Sequence, residues 1–389
     1  MQINLLNMNA APLQSNMILL LFRITATTVF IPSYGNLTNG GAMVRFYGLS
    51  YEKKDSVDNS FSSFVDSTIF TKLKDDVNSD DEKNNLTTNT NPFFSWEMNK
   101  QKEIGINGPN NNQIRVKTGD DGKFDQFVNV TGVSEGIFNF TEIGQNNIGQ
   151  VFISNETGIG IITDVDDVLR VVEIWNPHSL LLYTFARPFN LVTGAQDLFW
   201  KWSRTLSNVS FHYSSEAPIL MAPSYTDLIK FHFPLGSLDL RPMDQNDISG
   251  IFTARKDNTE RIFQTYPRRK FILIGDTSIN NIVPPYTDIA KTYPDQILCI
   301  FIRNVTADYP TAINPLVNLV KSFDGVPNEK WFVYDNLSNI KDLDVENGEC
   351  HPKGKEGQQT WSGGWAGVSG DANYGYCGML LILINLNLF

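Results

Sequence analysis

The sequence predicts an α/β domain built on a parallel sheet and preceded by a smaller β-rich domain. Short β-type runs separated by Gly, Asn and Asp fill residues 27–155, which is typical of a small β-rich unit. From Gly158 onward, apolar runs of strand length alternate with amphipathic segments, and this alternation predicts a parallel sheet covered by helices. A chain of 389 residues with 41% hydrophobic content exceeds one typical core, so two folded units are expected.

The predicted organisation has four parts. Residues 1–26 form an N-terminal segment of undecided structure, residues 27–155 the β-rich domain, residues 156–346 the α/β domain, and residues 347–389 a Gly-rich, irregular tail. Within the first domain, the segment around 55–91 is acidic, rich in Ser and Asn, and poor in apolar residues. It is interpreted as a solvated loop or disordered insert.

Strands and helices are predicted separately in the two domains. The predicted strands of the first domain are "TTVFIPSYG", "AMVRFYGLSY", "NQIRVKTG" and "GKFDQFVNV", and those of the second are "GIGIITDV", "VSFHYSS", "RKFILIGD" and "QILCIFIRNV". Two segments between the later strands have helical spacing of apolar residues, which are Leu198, Phe199, Trp202 and Leu206 in one and Ile262, Phe263 and Tyr266 in the other. Both are predicted to cover the sheet.

Charge and hydropathy exclude some classes of function. The formal net charge of −11 argues against a nucleic-acid partner, which requires clustered Lys and Arg. No transmembrane span is expected, because the apolar run from Met17 to Pro32 is interrupted by Arg23. That run is interpreted as a strand, with an atypical signal sequence as the alternative.

The cellular compartment stays open at this point. Three cysteines do not suggest a disulfide framework, although Cys350 and Cys377 could pair in a secreted protein. Eight Asn-x-Ser/Thr sequons favour the secretory pathway, and the alternative is a cytoplasmic protein that associates peripherally with a membrane.

Polar residues at the ends of the predicted strands indicate a site for a metal and a phosphate. The stretch "GIGIITDVDDVLR" places Asp164, Asp166 and Asp167 directly after a buried strand. Ser215 and Asp276 follow two other strands, and parallel strands bring such residues to one edge of the sheet. Repulsion among Asp164, Asp166 and Asp276 becomes tolerable around a divalent cation, and oxygen ligands without His or Cys favour Mg²⁺.

The order of these groups along the chain resembles the haloacid dehalogenase superfamily of phosphatases. That order is Asp-x-Asp, then Ser, then Lys, then Gly-Asp. A closer resemblance, over residues 137–306, is to the catalytic domain of the fungal actin-patch phosphatidate phosphatase family. It is carried by "DVDDVLRVVEIWNPHSLLLYTFARPF", "FHYSSEAP", "FPLGSLDLRP", "YPRRKFILIGD" and "YTDIAKTYPDQILCIFIRNV". The resemblance implies a haloacid-dehalogenase-like parallel sheet and hydrolysis of phosphatidate to diacylglycerol at a membrane surface.

The same resemblance implies roles for individual residues. Asp164 would attack phosphorus to form an aspartyl phosphate, and Asp166 would act as general acid and base. Ser215 would donate a hydrogen bond to a phosphoryl oxygen, and Lys256, with Arg255 as the neighbouring alternative, would offset its charge. The ligands of Mg²⁺ would be Asp164, Asp276 and the main-chain carbonyl of Asp166.

Two departures from the family pattern leave rival functions open. The segment "GDTSINN" carries Asn281 near the position of a second carboxylate, and Glu216 stands where the family tends to have Asn. One alternative is therefore a non-enzymatic relative that binds a phospholipid or a protein. The other is a phosphatase of soluble phosphate esters.

Overall fold

The computed structural model describes residues 27–53, 76–242, 248–278, 282–305 and 322–353. These residues form a mainly antiparallel sheet, a parallel sheet, and helices packed on the parallel sheet. This architecture confirms the predicted order of a β-rich region followed by an α/β domain. The segment 1–26 and most of the predicted tail lie outside the described residues.

The first sheet is formed by the β-rich region. Its strands are β1 (Thr27–Phe30), β2 (Ser33–Thr38), β3 (Gly41–Lys53), β4 (Trp96–Met98), β5 (Glu103–Asn107), β6 (Gln113–Lys117), β7 (Lys123–Thr131), β8 (Gly136–Glu142) and β9 (Ile148–Ser154). Strand β3 pairs with β1, β2, β4 and β7, and the sheet continues from β2 through β9, β8 and β5 to β6. Alternating residues of these strands bury one face, where Phe30 and Phe46 each pack edge-on against Phe140.

Part of the acidic segment near 55–91 is helical, which corrects its interpretation as a loop or disordered insert. Helix α1 spans Asp80–Ser95. Ser79 caps it by accepting a hydrogen bond from the Glu82 amide, and the Glu82 carboxylate accepts in return from the Ser79 amide. The composition hid this helix because its stability comes from the cap and from tertiary contacts, among them hydrogen bonds from Asn85 and Asn89 to main-chain carbonyls at 185–186. Residues 54–75 of the segment lie outside the described residues.

The second sheet is parallel throughout. Its strands are β10 (Ile159–Asp164), β11 (Val209–Pro218), β12 (Ser237–Arg241), β13 (Lys270–Asp276), β14 (Ile297–Arg303) and β15 (Trp331–Tyr334). The spatial order is β12-β11-β10-β13-β14-β15, so the chain builds outward from β10 in one direction and then returns to build from β13 in the other. In doubly wound sheets of this order, ligands bind beyond the carboxyl ends of the two central strands. Here those strands are β10 and β13.

Helices cover both faces of the parallel sheet. They are α2 (Pro177–Leu181), α3 (Ala195–Thr205), α4 (Ala222–His232), α5 (Ile248–Thr265) and α6 (Val283–Thr292). The two predicted apolar faces are confirmed. Leu198, Phe199 and Trp202 of α3 are buried in one core, and Ile262, Phe263 and the adjacent Tyr266 are buried in another.

A buried cluster of charges joins the two sheets. Arg45 of β3 donates to Asp125 of β7 and, through Nη1 at 2.7 Å, to Asp239 of β12. Arg261 of α5 reaches the same Asp125 at 2.8 Å. Burial raises the cost of these charges, while the two partners of Arg45 stabilise its cation and raise its pKa well above the usual value. The β-rich region is therefore fixed to the α/β domain at the edge strand β12 and at α5.

Replacing Arg45 is expected to destabilise the whole chain. The Arg45→Ala variant leaves Asp239 buried without its cation, so we expect the free energy of unfolding to fall by about 3–5 kcal/mol. The matched control is Arg115→Ala, because the Arg115–Glu103 pair is exposed and contributes about 0–1 kcal/mol. Urea unfolding followed by circular dichroism measures both values. Equal losses in the two variants would show that the buried cluster does not hold the sheets together.

A disulfide joins strand β14 to the segment that follows β15. Cys299 of β14 is bonded to Cys350, and both residues are fully buried. The sequence left open a Cys350–Cys377 pair in a secreted protein, but sequence alone cannot give connectivity, and Cys377 lies outside the described residues. Over the part of the chain that is described, no helix combines the length and apolar character needed to cross a bilayer.

Candidate active site

The two central strands end in carboxylates. Asp164 is the last residue of β10 and Asp276 the last residue of β13, and both side chains are buried. Thr163 lies opposite Ile274 in the paired strands. Asp164 comes one residue after Thr163 and Asp276 two residues after Ile274, so both carboxylates lie at the same edge of the sheet. The small residue before Asp276 permits close packing there, because a Cβ on Gly275 would lie 2.6 Å from the side chain of Ile282. The predicted convergence of Asp164 and Asp276 is what the parallel register produces.

Asp164 lies at the centre of the candidate site. Its Oδ2 accepts a hydrogen bond from Arg255 Nη1 at 2.6 Å, and its Oδ1 accepts from the amide of Val165 at 3.1 Å. Burial raises the pKa of Asp164 well above the usual range; the Arg255 cation opposes this rise, and the negative charge of Asp276 adds to it. The site therefore concentrates negative charge that one arginine offsets only in part.

The cation of the site is Arg255, and Lys256 lies outside it. Lys256 pairs with Asp288 at 3.0 Å on the surface, where its side chain is 41% exposed. Arg255, one residue earlier on α5, is buried and faces the sheet, since successive residues of a helix point about 100° apart. Its Nε also lies 3.2 Å from Glu216 Oε1. The carboxylate of Glu216, which departs from the family pattern, is thus partly neutralised by the same arginine.

Among the described residues, the side chains of Arg170, Tyr225 and Ser215 donate hydrogen bonds to the carboxylate of Asp166. Its Oδ1 accepts from Arg170 Nε at 2.8 Å, and the hydroxyl of Tyr225 lies 2.9 Å from both carboxylate oxygens. Its Oδ2 accepts from the hydroxyl of Ser215. The carboxylate of Asp166 thus has different hydrogen-bond partners from that of Asp164, and its role as acid and base stays a prediction.

Ser215 is brought to the predicted edge, with Asp166 as its hydrogen-bond acceptor. Its hydroxyl oxygen accepts a hydrogen bond from the amide of Ala217 at 2.9 Å and donates its proton to Asp166. A serine hydroxyl has one proton to donate. In this arrangement Ser215 is therefore engaged with Asp166, next to the nucleophile position.

The third carboxylate of the acidic cluster stabilises the backbone. Asp167 is fully buried and accepts hydrogen bonds from the amides of Val172, Glu173 and Ile174 at 2.9–3.0 Å. Its backbone has φ of 56°, a left-handed conformation that Asp tolerates better than most residues. Burial nevertheless raises its pKa, against the effect of these hydrogen bonds. Asp167 thus shapes the loop after β10.

The carboxylates of Asp164 and Asp276 fit a divalent cation. Oδ1 of Asp276 accepts from the Ser278 amide at 2.6 Å, whereas its buried Oδ2 has no hydrogen-bond partner among the described residues. Within the same residues, no three His, Cys, Asp or Glu side chains form a metal-binding group. Two carboxylates with a main-chain carbonyl and water are nevertheless a common set for Mg²⁺. The side chain of Asp166 faces Arg170 and Tyr225, so only its carbonyl remains as a candidate ligand.

The unpaired oxygen of Asp276 predicts a pH dependence of stability. Burial and the negative charge of Asp167 raise the pKa of Asp276 to about 7, above about 4 in the unfolded chain. The folded state therefore holds this proton more tightly, and the stability it contributes is lost as the pH rises through about 7. In chelator, the Asp276→Asn variant should gain about 1–3 kcal/mol over wild type between pH 5 and pH 8.

Urea unfolding in EDTA at several pH values measures this difference. Added Mg²⁺ should restore the stability of wild type at pH 8 and leave Asp276→Asn unchanged, because a bound cation stabilises the ionised carboxylate. The surface variant Asp288→Asn is the control and should run parallel to wild type. Parallel curves for Asp276→Asn as well would contradict the assigned charge state of this residue.

Two residues of the site, Arg170 and Tyr225, were not identified from the sequence, and a third was identified only as an alternative. Arg255 was considered only as the alternative to Lys256, because the helical phase of α5 was not known. Arg170 stood in the acidic stretch, four residues after Asp166, and this spacing is the signal that could have identified it. Tyr225 comes from another segment, and no sequence pattern links it to Asp166. Asn281, the predicted departure at the second carboxylate position, lies outside the described residues.

Comparison with known proteins finds similarity over the region that contains this site. Residues 159–304 match the family model of the catalytic domain of phosphatidate phosphatase APP1. Phosphatidate phosphatase APP1 of Saccharomyces cerevisiae is 29% identical over 174 residues, which are 42% of this chain and 30% of the yeast protein. An uncharacterized protein of Schizosaccharomyces pombe is 29% identical over 222 residues, which are 51% of this chain and 35% of that protein.

The matched region contains the whole candidate site and leaves most of each relative unmatched. The chain spans about a third of the length of both relatives. Strands β10 to β14, with Asp164, Arg255 and Asp276, all fall within residues 159–304. The α/β segment from Ile159 to Asn304 is therefore similar to the catalytic domain of phosphatidate phosphatase APP1.

Proposed function

We propose that this chain is a Mg²⁺-dependent phosphatase that hydrolyses phosphatidate to diacylglycerol and phosphate. The observation that supports this most directly is Asp164, a buried carboxylate at the switch point of the sheet, paired with Arg255 and close to the charge of Asp276. The match of residues 159–304 to a phosphatidate phosphatase catalytic domain supports the choice of substrate. A lipid substrate would be met at a membrane surface.

In the first half of the reaction, Asp164 Oδ1 or Oδ2 attacks phosphorus and forms an acyl phosphate. The bond between phosphorus and the glycerol oxygen breaks, and Asp166 donates a proton to that oxygen, which leaves as the hydroxyl of diacylglycerol. Arg255 has to shift part of its interaction from Asp164 to the phosphoryl oxygens. Because Arg255 is buried, water does not screen its charge at the point where negative charge develops, although Glu216 offsets part of that charge.

In the second half, water attacks phosphorus. Asp166, now ionised, takes a proton from this water, and the bond between phosphorus and Asp164 breaks to release inorganic phosphate and the free carboxylate. Arg170, Tyr225 and Ser215 already hold Asp166 by donating hydrogen bonds, which is the arrangement that an ionised carboxylate requires. The proton taken from water makes Asp166 ready for the next substrate.

The cation would be held by Asp164, Asp276 and the main-chain carbonyl of Asp166. When bound, Mg²⁺ would neutralise phosphoryl charge and orient the phosphoryl group. The buried, unpartnered Oδ2 of Asp276 supports this assignment. The other oxygen of Asp276, Oδ1, is held in place by a hydrogen bond from the Ser278 amide.

The test is release of inorganic phosphate from phosphatidate in mixed micelles by the full chain, with Mg²⁺ and with EDTA. We expect release that requires Mg²⁺ and stops in EDTA. Release from soluble phosphomonoesters alone would overturn the lipid substrate and favour the soluble-ester alternative. Binding of phosphatidate vesicles without release from any ester would favour a non-enzymatic binding protein and contradict the proposal.

A further inference from the structure

Substrate binding would affect the hydrogen-bond donors of Asp166 unequally. Ser215 donates to Oδ2 and Arg170 donates to Oδ1, while the Tyr225 hydroxyl, which has one proton, lies 2.9 Å from both oxygens. Under the proposed function, Ser215 donates its one proton to a phosphoryl oxygen. Binding of the phosphoryl group then removes Ser215 from Oδ2 and leaves Asp166 held by Arg170 and Tyr225.

Arg170 and Tyr225 are bonded to each other beside the carboxylate of Asp166. Arg170 Nη2 donates to the hydroxyl of Tyr225 at 2.6 Å, and the guanidinium carbon lies 4.4 Å from the centre of the Tyr225 ring. Both side chains are buried. The loop after β10 curls back so that Asp166 and Arg170 bridge through their backbones, and Tyr225 comes from the first turns of α4. Buried, mutually bonded groups of this kind lose little freedom when they fix a third group.

We propose that Arg170 and Tyr225 are positioning residues for Asp166, which hold its carboxylate in place while Oδ2, the oxygen that Ser215 releases, exchanges the proton. This inference rests on the proposed function. When the bond from phosphorus to the leaving oxygen breaks, the proton on Oδ2 passes to that oxygen. When water attacks, Oδ2 takes a proton from the water as the bond from phosphorus to Asp164 breaks. Neither Arg170 nor Tyr225 exchanges a proton in these steps.

The test compares leaving groups in the full-length Tyr225→Phe variant. p-Nitrophenolate leaves as a stable anion and needs no proton, whereas the alkoxides of phosphatidate and glycerol 3-phosphate need the proton from Asp166. For both alkyl esters we expect kcat to fall about 10- to 100-fold, with KM within about twofold of wild type. The pre-steady-state burst of p-nitrophenolate should keep a rate within about twofold of wild type.

The matched control is Tyr266→Phe, because Tyr266 is equally buried and donates its hydroxyl proton to the carbonyl of Gly35, away from Asp166. Any loss in this control should be the same for alkyl and nitrophenyl esters. An equal loss on both ester classes in Tyr225→Phe, or no loss on either, would overturn the positioning role. A second variant, Arg170→Lys, keeps the charge without the planar fork and should show the same dependence on leaving group.

The outcomes separate this inference from the proposed function. Wild type that hydrolyses glycerol 3-phosphate and not phosphatidate refutes the lipid substrate, while the comparison of leaving groups still tests Tyr225. If wild type hydrolyses no ester, crystal structures of wild type and Tyr225→Phe decide the question. We expect Oδ2 of Asp166 to move by about 0.5 Å or more in the variant. An unmoved carboxylate would overturn the inference.

Discussion

The Asp164→Asn variant should release no measurable phosphate from phosphatidate, a loss of at least about 10³-fold. An amide oxygen is a poor nucleophile and cannot form the acyl phosphate that divides the reaction into two steps. The substitution keeps the size of the side chain. Burial raises the pKa of Asp164 and so favours its neutral form, which the amide resembles. We therefore expect the fold to persist, as measured by circular dichroism and by the unfolding midpoint.

The control for this variant is Asp288→Asn, which removes a carboxylate from the surface of α6. It should retain the activity of wild type within about twofold, since an exposed ion pair contributes little. Rapid quenching with ³²P-labelled substrate should trap labelled protein in wild type and none in Asp164→Asn. Undiminished turnover by Asp164→Asn would exclude Asp164 as the nucleophile.

Replacing Arg255 and Lys256 separately should give opposite results. Arg255→Gln removes the buried cation beside Asp164, and we expect kcat/KM to fall about 10²- to 10³-fold, in the range measured for other buried groups that stabilise transition-state charge. Lys256→Gln removes a surface cation that pairs with Asp288, and kcat/KM should stay within about twofold of wild type. Steady-state kinetics on phosphatidate in mixed micelles measures both variants.

A loss of folding in Arg255→Gln has to be separated from a loss of chemistry, because Glu216 and Asp164 would remain buried without their cation. The Arg255→Lys variant retains a charge at this position and should recover part of the activity, although it lacks the second nitrogen that reaches Glu216. Unfolding midpoints of all three variants supply the comparison. A large loss in Lys256→Gln together with an active Arg255→Gln would reverse the assignment made from the structure.

The strands and the helical faces could be predicted from local pattern. β10, β13 and β14 are largely apolar runs because a parallel sheet buries both faces of its strands. The faces of α3 and α5 follow from 3.6-residue spacing. Asp164 and Asp276 could be placed for the same reason, since each ends a strand that was itself predictable, whereas Ser215 lies within β11, which continues to Pro218. The capped helix α1 was not predicted, because its mostly polar sequence lacks the periodic apolar face by which a helix is recognised.

The sequence by itself determined which residues end the central strands, because the apolar pattern of a strand and its polar last residue are local properties. Only the tertiary structure decided which side chains meet there. Arg255 and Lys256 differ by one residue and have the same charge, and the packing of α5 against the sheet selects Arg255. Tyr225 reaches Asp166 from a distance of 59 residues along the chain. Contacts of this kind depend on how helices pack on the sheet, and that geometry is set by the whole core.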